Sequence, residues 1–279
     1  MVVAIIGIGL IGGSLALAIK EKGIASKVIG VDENKFHQQK ALELGLVDKI
    51  EEINKAITEA QLIILATPVN SLIQLLPFVL DEVKQQVVMD VGSTKSRLLD
   101  LIQDHPKRSR FVATHPMWGT EYSGPEAAIK GAFIGKATVI CDRENSDDDA
   151  LDLVETTYKT LGMHLVYMKA ADHDIHVAYV SHISHITSFA LANTVLEKEK
   201  EEDAIFELAS GGFESTVRLA KSNPAMWVPI FKENRENVLD VLNEHISQLK
   251  KFKACLEKEN YSYLKTLIED ANKIKRIIK

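Results

Sequence analysis

The apolar, β-branched run from Met1 to Ile6 leads into Gly7-Ile8-Gly9-Leu10-Ile11-Gly12-Gly13-Ser14, and then into the strong helix former Leu15-Ala16-Leu17-Ala18-Ile19-Lys20. Strand, glycine turn and helix in that order leave the chain few ways to begin folding. A second apolar run, Lys27 to Val31, ends at Asp32, 20 residues beyond Gly12, which gives the unit the size and order of a βαβ dinucleotide-binding half. The glycines serve separate ends. Gly7 permits the tight turn, Gly9 lets backbone approach a pyrophosphate, and Gly12 lets the helix pack on its strand. The helix start at Leu10 and Ile11 turns free N–H groups and a positive dipole end toward the phosphates. Asp32 at the strand tip suits the two ribose hydroxyls and repels a 2′-phosphate. Glu33 and Asn34 supply no arginine to hold one, so NAD is expected over NADP.

Alternation continues through a helix from Lys35 to Leu44 and apolar runs at Gln61 to Ala66 and Gln86 to Val91, both of buried-strand type. Thr67-Pro68-Val69 closes the first of these runs, where proline stops a strand and fits the start of a helix. That loop belongs on the cofactor side of a doubly wound sheet. Arg110 to Ala113 reads as a strand that delivers Thr114 and His115 to the same edge. Lys136 to Cys141 and His164 to Met168 are two more strands, with a helix from about Asp149 to Leu161 between them. The acidic run Asp142 to Asp149 is a solvated loop into that helix.

From Ala170 strand signals cease and helical periodicity persists to the end. The expected fold is α/β, an N-terminal Rossmann-type doubly wound sheet over residues 1–168 followed by an all-helical domain over 169–279. One helix from about Asp172 to Glu197 carries His173, His176, His182 and His185 and is expected to be central. The charge run Glu197 to Asp203 is a solvated segment. Breaks fall at Ala209-Ser210-Gly211-Gly212-Phe213 and Ser222-Asn223-Pro224. The tail from Asn237 to Lys279 reads as one or two amphipathic helices, whose stripe Val238, Leu242, Ile246 and Leu249 suits a core or a dimer partner.

With 46% hydrophobic and 26% charged residues in 279, the chain has ordinary globular composition. A net charge of -6 argues against nucleic acid as principal partner, because duplex binding depends on clustered Lys and Arg. Cys141 and Cys255, far apart, make neither a disulfide framework nor a metal spacing, and a reducing cytoplasm is the expected compartment. The N-terminus carries no leader pattern, and no apolar run has the roughly 18 residues of a membrane span.

NAD seated with its nicotinamide near the sheet edge implies hydride transfer, and a proton must leave the substrate as the hydride does. His115, in Ala113-Thr114-His115-Pro116-Met117-Trp118-Gly119-Thr120-Glu121, is the candidate acceptor, since neutral imidazole exists at physiological pH. Ser93, in Gly92-Ser93-Thr94-Lys95, ends a strand on the same edge. It can orient that imidazole or the substrate hydroxyl, and Ser93 or Thr94 can instead cap a helix over Lys95 to Gln103.

These motifs, together with Val180-Ser181-His182-x-x-His185 and Gly211-Gly212-Phe213 followed by Arg218-Leu219-Ala220-Lys221-Ser222-Asn223-Pro224, resemble the prephenate/arogenate dehydrogenase family of tyrosine biosynthesis. The resemblance spans nearly the whole chain in the family's order. It implies an oxidative decarboxylation: hydride passes from ring C4 to NAD, the ring carboxylate leaves as CO2, and the product becomes aromatic. By the same resemblance His115 accepts the C4 hydroxyl proton and Ser93 positions both partners. Arg218 then holds a substrate carboxylate, for which a planar guanidinium is suited. Without the family, Arg218 reads as a surface helix residue.

His182 and His185, three apart on a helix, face the substrate in the family; a core pair is the other reading, and zinc lacks a third ligand of recognisable spacing. Glu121 gates or polarises the pocket, with Thr120, Gly211 and Trp227 around the substrate, though Trp227 suits a core equally. No metal is expected. A homodimer through the helical domain is implied, as is the lack of a regulatory domain after Lys279. One departure stands out: the family's acid between Gly-Gly-Phe and the arginine corresponds to Ser215, while here Glu214 comes one residue earlier. Prephenate and arogenate are not distinguished. The competing readings are another two-domain NAD dehydrogenase, such as a β-hydroxyacid dehydrogenase or imino-acid reductase, and an NAD-sensing regulator.

Overall fold

In the computed structural model, which describes residues 1–200 and 206–277, β1 (Val2–Ile6) lies inside an eight-stranded sheet with every residue after Val2 buried. Chain order is β1, α1 (Leu10–Glu21), β2 (Lys27–Val31), α2 (Lys35–Glu43), β3 (Lys49–Ile50), α3 (Ile53–Glu59), β4 (Leu62–Leu65), α4 (Val69–Glu82), β5 (Val87–Asp90), α5 (Ser96–Ile102), β6 (Phe111–Pro116), β7 (Ala137–Cys141), α6 (Asp148–Thr160) and β8 (His164–Met168). Across the sheet the order is β3-β2-β1-β4-β5-β6-β7-β8. The direction of winding reverses between β1 and β4, and in a doubly wound sheet ligands bind outside the carboxyl ends of the strands at such a point. Strands β1, β2, β4 and β5 are apolar throughout their middles because helices cover both faces, one hydrophobic cluster forming on each.

Every strand anticipated from the sequence is present; β3 and α3 were too short to signal themselves. The sixth strand runs further than its apolar run suggests. β7 pairs with it antiparallel, His115 opposite Val139 and Pro116 opposite Thr138, so His115 is held within the ladder.

The expected single helix from Asp172 to Glu197 is interrupted. α7 (Ala170–Val177) and α8 (Ile183–Glu199) are joined by a π turn at Ala178–His182. Nine residues of regular α-helix, at about 100° each, would leave His173 and His182 about 180° apart on opposite faces. The wider turn changes that phase, and both imidazoles are buried, near enough that a charge on His173 would oppose protonation of His182.

α9 (Gly211–Val217) and α10 (Pro224–Glu233) follow; Asn223 caps α10 by accepting from the Ala225 N–H at 2.9 Å, with Pro224 at the first helical position. Of the charge run, residues 201–203 lie outside the described residues, as do the last two of the tail. The chain divides into two compact units, Met1–Asn234 and Arg235–Lys279. The second consists mainly of α11 (Arg235–Glu257) and α12 (Tyr261–Ala271), with Asn260 accepting from the Tyr263 N–H to cap the latter. Among the described residues no helix is long and apolar enough to cross a membrane.

Where β5 ends, Asp90 and Lys95, both fully buried, form an ion pair at 2.5 Å. The same carboxylate accepts from the Gly92 N–H at 2.8 Å and, through its other oxygen, from the Thr114 N–H on β6 at 3.0 Å. Lys95 Nζ also donates to the Gly92 carbonyl at 2.6 Å. Replacing Lys95 by Met would strand a buried carboxylate, and the expected cost is about 3–5 kcal/mol, read as a lower midpoint in urea unfolding. Adding Asp90→Asn to that variant should recover part of the loss.

Candidate active site

The switch point opens a cleft of about 650 Å³, lined on one side by Gly9, Leu10 and Ile11 and by Thr67 and Pro68 after β4. Gly7, at φ +94°, turns the chain here, and a Cβ on it would lie 2.6 Å from the Ala66 carbonyl oxygen. A Cβ on Gly12 would come within 2.0 Å of the Gly7 carbonyl oxygen, so both positions exclude a side chain. Gly9 is different: nothing lies within 4 Å of where its Cβ would be. That open space above the start of α1, beside unpaired helix N–H groups, is the room a pyrophosphate needs. Asp32 stands at the tip of β2, fixed by the Ile8 N–H at 2.9 Å and the Asn34 N–H at 2.9 Å. The Thr67 hydroxyl is buried without a protein partner. The set fits a dinucleotide.

The imidazoles line the same cleft. His115 and Ser93 both line the cleft, as do His182 and His185. Burial above all, then His173, Lys95 and His182 beside it, push the His115 imidazole well below its ordinary range, so it is neutral at physiological pH. Its Nδ1 is 2.9 Å from Nε2 of His173, whose Nδ1 is 2.8 Å from Asp174 Oδ1. Neither Ser93 nor Thr94 caps α5; the N-cap position is Lys95, and the Asp174 carboxylate takes the N–H groups of Lys95 and Ser96, each at 2.8 Å. Ser93 is therefore spared for the cleft.

Burial pushes the His182 imidazole down to about 4. Asn234 Nδ2 donates to the Asp174 backbone carbonyl at 2.6 Å and lies 3.2 Å from His182 Nδ1, which leaves Nε2–H as the donor of this neutral ring. His185 stacks on Trp227 with ring centroids 3.5 Å apart. Trp227 packs with Val69 and Ile230 and also lines the cleft, with its indole N–H buried and unpaired.

Glu121 and Arg218 line the cleft together with Thr120, and they pair at 2.9 Å through one guanidinium nitrogen. The Glu121 carboxyl is held below the usual range by its own backbone N–H first, then by Arg218, with burial acting against both. The remaining guanidinium N–H groups are directed elsewhere than Glu121 and can take a second anion. Gly211, at the exposed start of α9, is not part of the lining, and neither are Glu214 and Ser215; the Ser215 hydroxyl donates to the Gly212 carbonyl at 3.0 Å. Sequence reasoning gave no role to Asp174, Asn234 or Lys95, and named His173 only as a helix residue. Among the described residues no three His, Cys, Asp or Glu side chains converge as a metal site.

Residues 15–167 match the family description "Prephenate dehydrogenase, nucleotide-binding domain" and residues 169–270 match "Prephenate dehydrogenase, dimerization domain". The chain is 32% identical over 268 residues to the prephenate dehydrogenase of Bacillus subtilis, covering 93% of this chain and 72% of that one. It is 29% identical over 280 residues to the cyclohexadienyl dehydrogenase of Zymomonas mobilis, covering 99% and 96%. The crystal structure of A. aeolicus prephenate dehydrogenase in complex with hydroxyphenyl propionate and NAD+ superposes with a TM-score of 0.89 at 31% identity, over 99% of this chain and 97% of that one.

The glycine turn predicts two contrasting variants. Gly12→Ala should destabilise by about 1–3 kcal/mol through overpacking and abolish dinucleotide binding. Gly9→Ala should leave stability within about 0.5 kcal/mol and still weaken binding. Thermal unfolding beside NAD titration separates the two.

Proposed function

The chain belongs to the prephenate dehydrogenase family, and we propose that its cleft carries out the NAD-dependent oxidative decarboxylation of prephenate to 4-hydroxyphenylpyruvate and CO2, in tyrosine biosynthesis. The observation that supports this most directly is the shared cleft: the glycine turn, a neutral His115, Ser93 and Arg218 all line it or shape it.

NAD, when bound, supplies the hydride acceptor. Gly7, Gly9 and Gly12 shape its phosphate seat, Leu10 and Ile11 offer backbone N–H groups, Asp32 takes the ribose hydroxyls, and Thr67 and Pro68 line its far side. His115 accepts the proton of the C4 hydroxyl, and Ser93 orients that hydroxyl against the imidazole. The ring carboxylate departs as CO2 with its bonding pair entering the ring, as hydride leaves C4 and the ring becomes aromatic. Aromatisation drives that departure, so positioning and proton removal are what the protein must add. Arg218 holds a carboxylate of the substrate with the guanidinium N–H groups that Glu121 does not use, and Glu121 keeps the guanidinium turned toward the cleft. His182 offers Nε2–H to an acceptor, while His185 and Trp227 form an aromatic wall. Thr120 and Gly211 were assigned to the substrate by resemblance; Thr120 is on the lining and Gly211 stands outside it.

Arogenate, which bears an amino group where prephenate has a keto group, is the second reading. Similarity to a relative named cyclohexadienyl dehydrogenase favours keeping it. Residues 1–168 act in this reading as the dinucleotide-binding domain and 169–279 as the helical domain for substrate and for a homodimer, the latter supported by the dimerization-domain match. The compartment proposed is the cytoplasm.

Mixing the protein with NAD and prephenate should raise absorbance at the reduced nicotinamide band, with kcat/KM for arogenate measured alongside; turnover of neither would sink the proposal. His115→Asn should keep NAD affinity and lose about 10²-fold or more of kcat. Arg218→Ala should chiefly raise the KM for prephenate. Because the base works only when neutral and its affinity for protons is lowered, activity should be full above its depressed pKa and vanish below it. The acid limb of kcat/KM should therefore fall well under pH 6.5. A limb at or above that value would contradict the assignment.

A further inference from the structure

We infer that Asp174 and His173 act as positioning residues that fix which nitrogen of His115 carries the proton, leaving Nε2 as a bare acceptor in the cleft. The inference rests on His115 serving as the proton acceptor.

Asp174 accepts from two backbone N–H groups, Lys95 at Oδ1 and Ser96 at Oδ2. Burial pushes its carboxyl up, and the His173 ring and the Ser96 N–H together outweigh that and bring it below the usual value, so it is ionised and only accepts. His173 Nδ1, 2.8 Å from Oδ1, must therefore carry a hydrogen. The ring is 1% exposed, and burial lowers its affinity for protons even against the pull of Asp174. The groups facing it are the Asp174 and Asp90 carboxylates, the Lys95 ammonium and the His115 ring, with His182 close by. Neutral, with Nδ1 protonated, His173 has a lone pair at Nε2. His115 Nδ1, 2.9 Å from that lone pair, must be the donor.

A neutral imidazole with its hydrogen on Nδ1 has none on Nε2. Among the described residues His115 Nε2 has no protein hydrogen-bond partner, and it is not among the buried orphan atoms, so it meets the cleft. The other tautomer would set two lone pairs against each other across 2.9 Å and present the cleft with a donor where an acceptor is required. During turnover the substrate proton goes to Nε2 and is held on His115 until the carboxylate has left, when the phenolate oxygen at C4 takes it back and the imidazole is neutral again. While it holds that proton the imidazole donates more strongly from Nδ1, and the Asp174 charge, one ring away, favours the cation without itself taking a proton.

The assignment is tested on the full-length protein labelled with ¹⁵N-histidine. Long-range proton–nitrogen correlation at pH 7.5, with His115→Asn to assign the signals, should show His115 protonated at Nδ1 and bare at Nε2. A hydrogen on Nε2 in the wild type would overturn the inference. His173→Leu removes the acceptor while leaving both backbone N–H groups on Asp174. It should lose about 10²-fold or more of kcat, keep NAD affinity and shift His115 toward the Nε2–H form. His173→Gln, whose side-chain carbonyl can accept from Nδ1–H, should recover at least tenfold of that loss.

Wild-type kcat and an unmoved tautomer in His173→Leu would overturn the inference. The wild-type spectrum decides the tautomer even if that variant does not fold. Failure of the functional reading is distinguishable, since a protein inactive on prephenate and arogenate would still report which nitrogen carries the hydrogen.

Discussion

The buried carboxylate of Asp90 ties together the parts that matter most. One oxygen holds Lys95 and the Gly92 N–H, and the other holds the backbone of Thr114, the residue before His115. The loop bearing Ser93 and the strand bearing His115 are thus referred to a single charged point in the sheet. An ion pair with both partners fully buried gains little net stability over an apolar pair. Its value lies in geometry, because backbone groups that converge on one carboxylate cannot drift independently. Tyr158 adds to this, its hydroxyl 2.6 Å from the Thr114 hydroxyl.

A second convergence is built from the other side. Asp174 begins in the helical region and reaches the start of α5, where the local sequence offers Lys95 at the N-cap and no side-chain cap of its own. One residue therefore closes a helix end and anchors His173. The division of labour between the two carboxylates is clear from what they hold: Asp90 fixes two backbones and the Lys95 ammonium, and Asp174 fixes a backbone and an imidazole.

Much of this was legible in the chain. The glycine turn with Asp32 announced itself because each position answers a steric demand, and the strands because a sheet covered on both faces needs unbroken apolar runs. The motifs around His115, Ser93, His182 and Arg218 pointed to one cleft, and their side chains do line one. What stayed hidden depends on partners distant in sequence. Nothing in His115's own neighbourhood names His173, 58 residues on, as its partner. The extension of β6 through Pro116 comes from antiparallel pairing with β7, which no period in the sixth strand encodes. The pairing of Glu121 with Arg218 spans 97 residues, and each read alone looks like a free charge. Gly211 carried a motif's expectation yet stands exposed as the first residue of α9.

The π turn at Ala178–His182 sets how much chain lies between His173 and His182. A helix that keeps an extra residue in one turn behaves as a vernier: nine steps turn the chain about as far as eight regular ones would. Relaxation of the turn to regular α-helix at the same residue count would rotate everything beyond it by about 100° relative to His173. The wide turn, rather than the residue count, therefore sets the faces that His173 and His182 present. Length and phase are thereby uncoupled at this one turn, which absorbs a residue that the helix on either side does not register.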